Sequence, residues 1–593
     1  MTASANNFSV TTDPSRDALL TDFGKQTLQD RYLLSNETYQ GLFARVACTY
    51  ADDQAHAQRL YDYISRLWFM PATPVLANGG TTRGLPISCY LNEVEDNLEG
   101  IVGTWNENVW LASSGGGIGT YWGNVRAVGE SIGARGQSSG IIPFLKVMDS
   151  QTLAVSQGSL RRGSAAVYLD VSHPEIEEFI EMRRPTGGDP NRKSLNLHHA
   201  VVIPDLFMRA VEEGAEWALV SPKDGTVLKT LDARGLWIKM LTARIETGEP
   251  YFTFIDTVNK HIPEHHKKLN LLVKTKNLCN EITLFTGRDH HNQHRTAVCC
   301  LSSLNLDTYM AWKDDALFIM DVMRFLDNVL QDFIDRAPHS MSAAIYSAMR
   351  ERSVGLGVMG FHSFLQSQGV PFESPSAIAW NKRIFKHIHE KAEEADKVLA
   401  DERGPCPDAA EAGIHKRFTN KTAIAPTASI SIICGGASPC IEPAVANVFS
   451  HKTLSGTAII RNPHLTEVLA KHGQNTPEVW TSIVARKGSV QHLEFLTDWE
   501  RDTFKTAIEL DQNWVIRHAA DRQPFIDQGQ SLNLFLPADV DKKVLHQIHM
   551  KAWKAGVKGL YYCRSLSIQR AETVSDKIAA HNPKNGEECE VCQ

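Results

Sequence analysis

The sequence predicts a large protein of mixed α/β class, and three observations carry that prediction. Its 593 residues suffice for several domains, or for one large α/β barrel that takes up most of the chain. Segments with apolar residues at helical spacing alternate with short apolar runs of the strand type, such as Ala165–Val171 and Leu532–Leu536. Hydrophobic residues make up 42% of the chain and charged residues 22%, which supports an ordinary buried core. The net charge of −7 leaves no excess of Lys and Arg to neutralise a nucleic-acid backbone, which argues against a DNA-binding surface along the chain. Met1 to Leu20 lacks a basic segment followed by an apolar run, and no apolar run is long enough to span a bilayer. Eleven cysteines in such a chain suggest a reducing compartment, the cytoplasm, and chemical use of thiols.

Taken in order, residues 1–70 read as helical and polar, with Gln40–Ala51 and Asp53–Phe69 as amphipathic helices. Thr73-Pro74-Val75-Leu76-Ala77-Asn78 and then Ser88-Cys89 follow, punctuated by Pro and Gly as turns between short strands. Asp96 precedes a glycine-rich run, Ser113 to Gly119, and then Arg126; glycines let backbone N–H groups approach a phosphate closely. Ser156 to Gly163 is a second loop with Arg161 and Arg162 side by side, for which a solvated turn is the plain alternative. Pro174–Arg184 and Asp205–Gly214 read as helices. Asp321–Asp335, with Val322, Phe325, Leu326, Val329, Leu330 and Phe333 at helical spacing, reads as a core helix.

Two motifs invite a functional reading that their context does not support. His290, His291 and His294 lie in a polar loop beside Asp289 and Asn292, and read as surface histidines rather than metal ligands. Gly355 to Gly360 matches Gly-x-Gly-x-x-Gly, but it follows the charged Arg350-Glu351-Arg352 and no acidic residue stands in a ribose-binding position. A dinucleotide fingerprint needs strand, turn and helix in order, so these glycines read as close-packing residues.

Ala425-Pro426-Thr427-Ala428-Ser429-Ile430-Ser431 places hydroxyls and free N–H groups at a helix start, an anion site or an ordinary N-cap. Ser438-Pro439-Cys440-Ile441-Glu442-Pro443 follows. Cys48, Cys406, Cys434, Cys440 and Cys563 read as buried thiols. Trp553 to Tyr562 leads into the last strand; adjacent Tyr561 and Tyr562 would point to opposite faces of a regular strand, so a stacked pair requires a local irregularity. Beyond Leu566 the chain turns polar and ends in Cys589-Glu590-Val591-Cys592-Gln593. Zinc normally takes four ligands and no partner pair is visible, so this C-x-x-C reads as a mobile dithiol that reduces a buried disulfide.

The central motif is Asn277-Leu278-Cys279-Asn280-Glu281, followed by Ala297-Val298-Cys299-Cys300-Leu301-Ser302. In an extended strand Asn277, Cys279 and Glu281 would share one face, lining up an amide, a thiol and a carboxylate. Asn-Leu-Cys-x-Glu with a downstream Cys-x-Leu-Ser resembles the catalytic strand of ribonucleotide reductase. The Ser-Cys element, the loop at 425–431, the tyrosine pair and the terminal dithiol extend the resemblance from Pro71 to Gln593.

The resemblance implies a ten-stranded α/β barrel over 71–566, a helical region at 1–70 lacking the family's nucleotide-binding regulatory cone, and a flexible redox tail at 567–593. It implies the catalytic subunit of a class I enzyme, which reduces ribonucleoside diphosphates to deoxyribonucleotides. In it Cys279 becomes a thiyl radical, Glu281 is the base, Asn277 and Ser88 orient the substrate, and Cys89 and Cys299 are the redox pair. Thr73, Arg161 or Arg162, and Pro426 to Ile430 would contact the substrate, the last five around its diphosphate. Asp96 and Arg126 would bind a deoxynucleoside triphosphate or ATP effector. Tyr561 and Tyr562 would pass the radical in from a dimetal-containing small subunit, with no cofactor bound in this chain. Cys589 and Cys592 would reset the redox pair using thioredoxin or glutaredoxin, and the chain would form a homodimer. Which arginine faces the base, and whether Cys300 competes with Cys299, stay open. Alternatives are a class II enzyme dependent on adenosylcobalamin, a nicotinamide-dependent oxidoreductase built on Gly355–Gly360, and a non-catalytic nucleotide-binding regulator.

Overall fold

The computed structural model describes residues 8–157, 161–453, 456–537 and 539–565. Helices α1 (Tyr39–Thr49) and α2 (Gln54–Ser65) start where the sequence offers caps: Thr38 accepts from Gly41 N and Asp53 from His56 N. They bury Leu42, Phe43, Val46, Leu60, Tyr61 and Ile64 in the main core. After the short strand Phe69–Pro71, residues Thr73–Asn78 form a helix, α3, where turns between strands are expected. Pro74 is the reason: within the first helical turn its fixed φ favours the helix and its missing N–H costs nothing.

The barrel is assembled from two sets of five staves. The first set is β1 (Cys89–Glu93), β2 (Gly117–Tyr121), β3 (Ser164–Asp170), β4 (Leu197–Ile203) and β5 (Tyr251–Phe254), all parallel in that order. Helices α4 (Leu98–Ser113) and α5 (Ile142–Ala154) make the first two crossovers. The second set begins with β6 (Ala297–Asn305) and β7 (Val354–Met359), which are parallel. The segments at 422–424 and 530 follow, joined by the parallel bridges Leu356↔Thr422 and Ile424↔Gln530. The segment at 530 runs into β8 (Leu534–Leu536), which pairs in parallel with β10 (Cys563–Ser565); β9 (Gly559–Leu560) and β10 form the last stave. The two sets join antiparallel at both edges, with Cys299 opposite Cys89 and Leu560 opposite Phe252. A closed barrel has no free sheet edge.

Helix α6 (Phe318–Arg336) covers β6 and β7, with Val322, Phe325, Leu326, Val329, Leu330 and Phe333 all buried, as their spacing predicts. On the same helix the buried Asp327 carboxylate accepts from Arg352, Arg403 and Arg417. Burial opposes its charge, but the three guanidiniums hold its pKa below the usual range. Gly355 and Gly357 lie inside β7, not in a turn after it. A Cβ at Gly355 would sit 2.4 Å from Leu301 and 3.2 Å from the Cys299 sulfur, and one at Gly357 would sit 2.5 Å from Ala423 O. These glycines bring neighbouring staves together.

Residues 271–286 form no regular strand, yet they run through the barrel. Gly119 of β2 makes room for them, since a Cβ there would lie 1.8 Å from the Lys276 carbonyl oxygen. Gly119→Ala should therefore push the loop out of place. The expected result is a loss of about 1–3 kcal/mol of stability in denaturant melts, with the helical circular dichroism retained.

Candidate active site

The central motif is not a strand, which corrects the expectation drawn from its alternation. Leu278 and Cys279 form a turn and Asn280 takes a left-handed φ of 66°, a conformation that Asn tolerates better than most residues. Asn280 N donates to Asn277 O, closing the turn (3.2 Å). Buried backbone groups must find partners, and here the barrel wall supplies them. The Tyr168 hydroxyl donates to Asn277 O (2.6 Å), Ser531 Oγ to Cys279 O (2.6 Å) and Gly529 N to Glu281 O (2.6 Å), while Thr283 N donates to Gln528 Oε1 (3.0 Å). Cys279 thereby lies at the barrel centre, in an apolar cluster with Tyr121, Tyr168, Tyr251, Leu278 and Tyr561.

The turn still gathers the three expected groups. Asn277 Oδ1 accepts from the backbone N–H groups of Glu281 and Ile282 (both 3.0 Å), and its Nδ2 donates to the Cys89 sulfur (3.3 Å). The Glu281 carboxylate is fully buried; Oε2 accepts from Ser531 Oγ (3.2 Å), and Oε1 has no hydrogen-bond partner among the described residues. Burial pushes its pKa up to about 7, tempered by its hydrogen bonds. A carboxyl with that pKa and an unmet acceptor suits a general base near neutral pH.

Cys89 and Cys299 are direct cross-strand neighbours. Antiparallel neighbours have Cα atoms about 4.5–5.5 Å apart, inside the range a disulfide spans, so the pair can be oxidised with little backbone movement. Both thiols are free and buried, and burial pushes both pKa values well above the ordinary thiol value. Gln528 Nε2 lies against the Cys299 sulfur (3.6 Å). Cys300, next along β6, points to the opposite face of that strand and is itself buried, which raises its thiol pKa. Ser88 Oγ is buried beside the Cys89 thiol.

Tyr561 and Tyr562 fall in the gap between β9 and β10, the irregularity that a stacked pair requires. Their backbone N–H groups donate to Leu532 O (2.8 Å) and Asn533 Oδ1 (2.9 Å), which turns both rings inward. The ring centroids lie 4.3 Å apart, and Tyr251 touches both, at 4.7 and 5.0 Å.

The other expected residues lie further out. Thr73 Oγ1 pairs with the Tyr32 hydroxyl (2.9 Å). Thr427 has a φ of 54° and its Oγ1 accepts from Cys440 N (2.7 Å), while Ala428 and Ser429 are half-buried and Pro426 and Ile430 are buried. Ser429 precedes the four-residue helix Ile430–Ile433 but makes no side-chain cap, so the ordinary N-cap is not its role. Arg126 forms an ion pair with Asp96 (2.9 Å), whose Oδ1 also accepts from Arg126 N (3.0 Å). Arg161 and Arg162 form a two-residue strand paired with Ser156 and Gln157. Cys589 and Cys592 lie outside the described residues. Sequence reasoning missed Gln528, Ser531 and Tyr168, which hold the loop from the wall. The one available signal was Gly529, a glycine in an extended run, which marks a close backbone approach.

Residues 18–84 match the model of the ribonucleotide reductase all-alpha domain, and residues 87–419 and 408–563 match that of the ribonucleotide reductase barrel domain. The chain belongs to the ribonucleotide reductase family. It is 40% identical to the ribonucleoside-diphosphate reductase large subunit of Invertebrate iridescent virus 3, covering 98% of this chain and 100% of that one. It is 32% identical to the large subunit of Caenorhabditis elegans, over 96% of this chain and 79% of that one. Among solved structures, the class Id ribonucleotide reductase alpha subunit of Actinobacillus ureae aligns with a TM-score of 0.83 and 32% identity, covering 94% of this chain and 99% of that one.

Among the described residues of this reductase chain, three groups of histidines and acids come within reach of a common metal ion: His290, His291 and Glu411; His266, Glu351 and Asp408; and His389, Glu393 and Asp527. Each already holds a cationic side chain. Arg350 pairs with Glu411 (2.5 Å), Arg295 with Asp408 (2.6 Å), and Lys421 with Glu393 (2.8 Å). These ion pairs serve the charge balance that a metal ion would otherwise supply.

The raised pKa of Glu281 has a stability consequence. Folding holds a proton on Glu281 up to about pH 7, while the unfolded chain releases it near the ordinary carboxylate value. Its contribution is therefore most favourable at acid pH and is lost as pH rises toward 7, by on the order of 3 kcal/mol. Relative to wild type, Glu281→Gln should gain stability as pH increases from 5 to 8, and denaturant melts across that range check the sign.

Proposed function

We propose that this chain is the catalytic large subunit of a class I ribonucleotide reductase, acting in the cytoplasm on ribonucleoside diphosphates. The observation that carries the reading is the gathering of Cys279, Glu281, Asn277 and the Cys89–Cys299 pair at one point inside the barrel, with the tyrosine pair adjoining Cys279. The names of the relatives, ribonucleoside-diphosphate reductase large subunits, support the substrate class.

In this mechanism the oxidising equivalent comes from a dimetal-containing small subunit and passes through Tyr562 and Tyr561 by hydrogen-atom exchange. Tyr561 then takes the hydrogen from the Cys279 thiol, leaving a thiyl radical. Cys279 abstracts the ribose 3′ hydrogen, and Glu281 takes the 3′-hydroxyl proton. The 2′-hydroxyl leaves as water with a proton from one redox thiol. Two electrons and two hydrogens pass from Cys89 and Cys299 to the substrate side, and the pair closes as a disulfide. Cys279 returns its hydrogen to C3′, and Glu281 returns its proton to the 3′ oxygen. A neutral thiol is the form this chemistry uses, and burial keeps Cys89 and Cys299 neutral. Ser88, Thr73, one of Arg161 and Arg162, and the 426–430 loop hold the nucleotide. Cys589 and Cys592 reduce the disulfide, drawing on thioredoxin or glutaredoxin.

No helix among the described residues is long and apolar enough to cross a membrane. Leu98, Val102 and Trp110 of α4, with Val147 and Leu153 of α5, nonetheless leave large apolar side chains exposed. Such a face fits a second copy of the chain, with the Asp96–Arg126 effector site beside α4. Trp110→Asp should shift the protein from dimer to monomer in light scattering and abolish the effect of deoxynucleoside triphosphates on substrate choice.

Cys279→Ser should bind nucleotide normally and give no deoxynucleotide, because the serine O–H bond is too strong to yield to the same radical. Tyr561→Phe or Tyr562→Phe should abolish turnover with binding intact. Wild-type chain should be inactive alone and active with a dimetal small subunit. Turnover with adenosylcobalamin alone, or near-normal rates in both Phe variants, would place the protein in class II.

A further inference from the structure

A polar cluster at the barrel mouth, on β4 and just before β5, faces the outer tyrosine and has no part in the mechanism above. His198 Nδ1 lies 3.2 Å from the Tyr562 hydroxyl and 2.5 Å from Glu249 Oε1. Glu249 is buried, and its other oxygen accepts from His199 N (2.9 Å) and His199 Nδ1 (3.0 Å), with Arg183 Nε at 3.4 Å. Burial opposes its charge, but Arg183 and His198 outweigh that and hold its carboxyl well below the usual range. An ionised carboxylate only accepts hydrogen bonds, so the hydrogen between the two groups belongs to His198 Nδ1.

The same single N–H is shared with the phenolic oxygen of Tyr562 in a three-centre hydrogen bond, in which that oxygen is the second, longer acceptor. The imidazole is braced on two further sides. It stacks on Tyr251 (6.1 Å between centroids, 17° between planes) and meets Tyr562 edge-on (6.0 Å, 80°). Tyr562 is only partly buried, with the Arg564 guanidinium 4.8 Å over its ring. A ring at the mouth needs an anchor to stay against Tyr561.

We propose that His198 is a positioning residue of the tyrosine relay: its Nδ1–H, oriented by Glu249, donates to the Tyr562 oxygen and holds that ring against Tyr561. The proposal rests on the relay reading given above. Because His198 is a donor here, it does not take the phenolic proton. When Tyr562 is oxidised, its electron goes to the one-electron oxidant of the small subunit and its proton to water at the exposed side. The phenoxyl oxygen, having lost its own hydrogen, keeps the one that His198 donates. Glu249 acts at one remove, as the group that sets the imidazole tautomer.

The test uses the full chain assembled with its small subunit, with 3-aminotyrosine at position 562 as a readily oxidised probe. A hydrogen bond to the radical's oxygen lowers the gx component of its high-field EPR spectrum. His198→Phe should raise gx and lower kcat about tenfold or more, the value of one hydrogen bond to a reacting group, with KM for the nucleotide unchanged. His198→Asn, whose amide nitrogen falls near the Nδ1 position, should restore both values toward wild type. Equal gx in wild type and His198→Phe would overturn the proposal. If the Phe chain does not fold, Glu249→Gln serves in its place, because gx should again rise and an unchanged value overturns the proposal. Failure to form any radical at 562 with native His198 would instead remove the relay reading, and this proposal with it.

Discussion

The structure depends on a constraint of hydrogen bonding: a stretch of irregular backbone lies inside a closed barrel, where water cannot serve its polar groups. An unmet N–H or C=O there costs about as much as a lost hydrogen bond. Each wall contact therefore sets position as well as stability. Tyr168 and Ser531 bind the carbonyls on either side of the turn, Gly529 binds the carbonyl of Glu281, and Gln528 receives Thr283 N. Cys279 is held by its own carbonyl and by its neighbours' backbone, and its side chain packs in the cluster of Tyr121, Tyr168, Tyr251 and Tyr561.

The same constraint explains the glycines. Gly119, Gly529 and Gly559 come from three different staves, and a Cβ on any of them would meet the loop. The barrel could not enclose the loop with side chains at those points. Gly355 and Gly357 do related work between staves, which is why the first two glycines of a sequence that matches a dinucleotide fingerprint lie inside a strand, while Gly360, with a φ of 77°, caps the helix that follows it.

Burial then sets the chemistry. It raises Glu281 toward neutrality and keeps the Cys89 and Cys299 thiols protonated. It also lowers the ammonium of Lys276 to about 7, even though that group donates to the carbonyls of Asn280 and Lys558. In a site this dry, a proton or hydrogen atom moves between groups whose neutral forms are all accessible near pH 7. The charged network around Glu249 is the exception at the barrel mouth, where two histidines and Arg183 stabilise one buried carboxylate.

By itself the sequence determined the class of fold and the core face of α6, because apolar spacing is local and can be read along the chain. Cys89, Cys279, Cys299 and Glu281 were singled out by the resemblance of their motifs to a known family, since each alone reads as an ordinary buried residue. The sequence also determined that Tyr561 and Tyr562 could stack only at a break in a strand. Only the tertiary structure decided that Asn277–Glu281 is a turn. Alternation along the chain cannot tell an extended strand from a loop whose hydrogen bonds are all made by distant segments. It likewise decided that Cys300 faces away from Cys299, since that follows from which face of β6 looks into the barrel. Gln528, Ser531 and His198 escaped notice for the same reason: each matters through a partner more than two hundred residues away, and separation of that kind is closed only by the barrel.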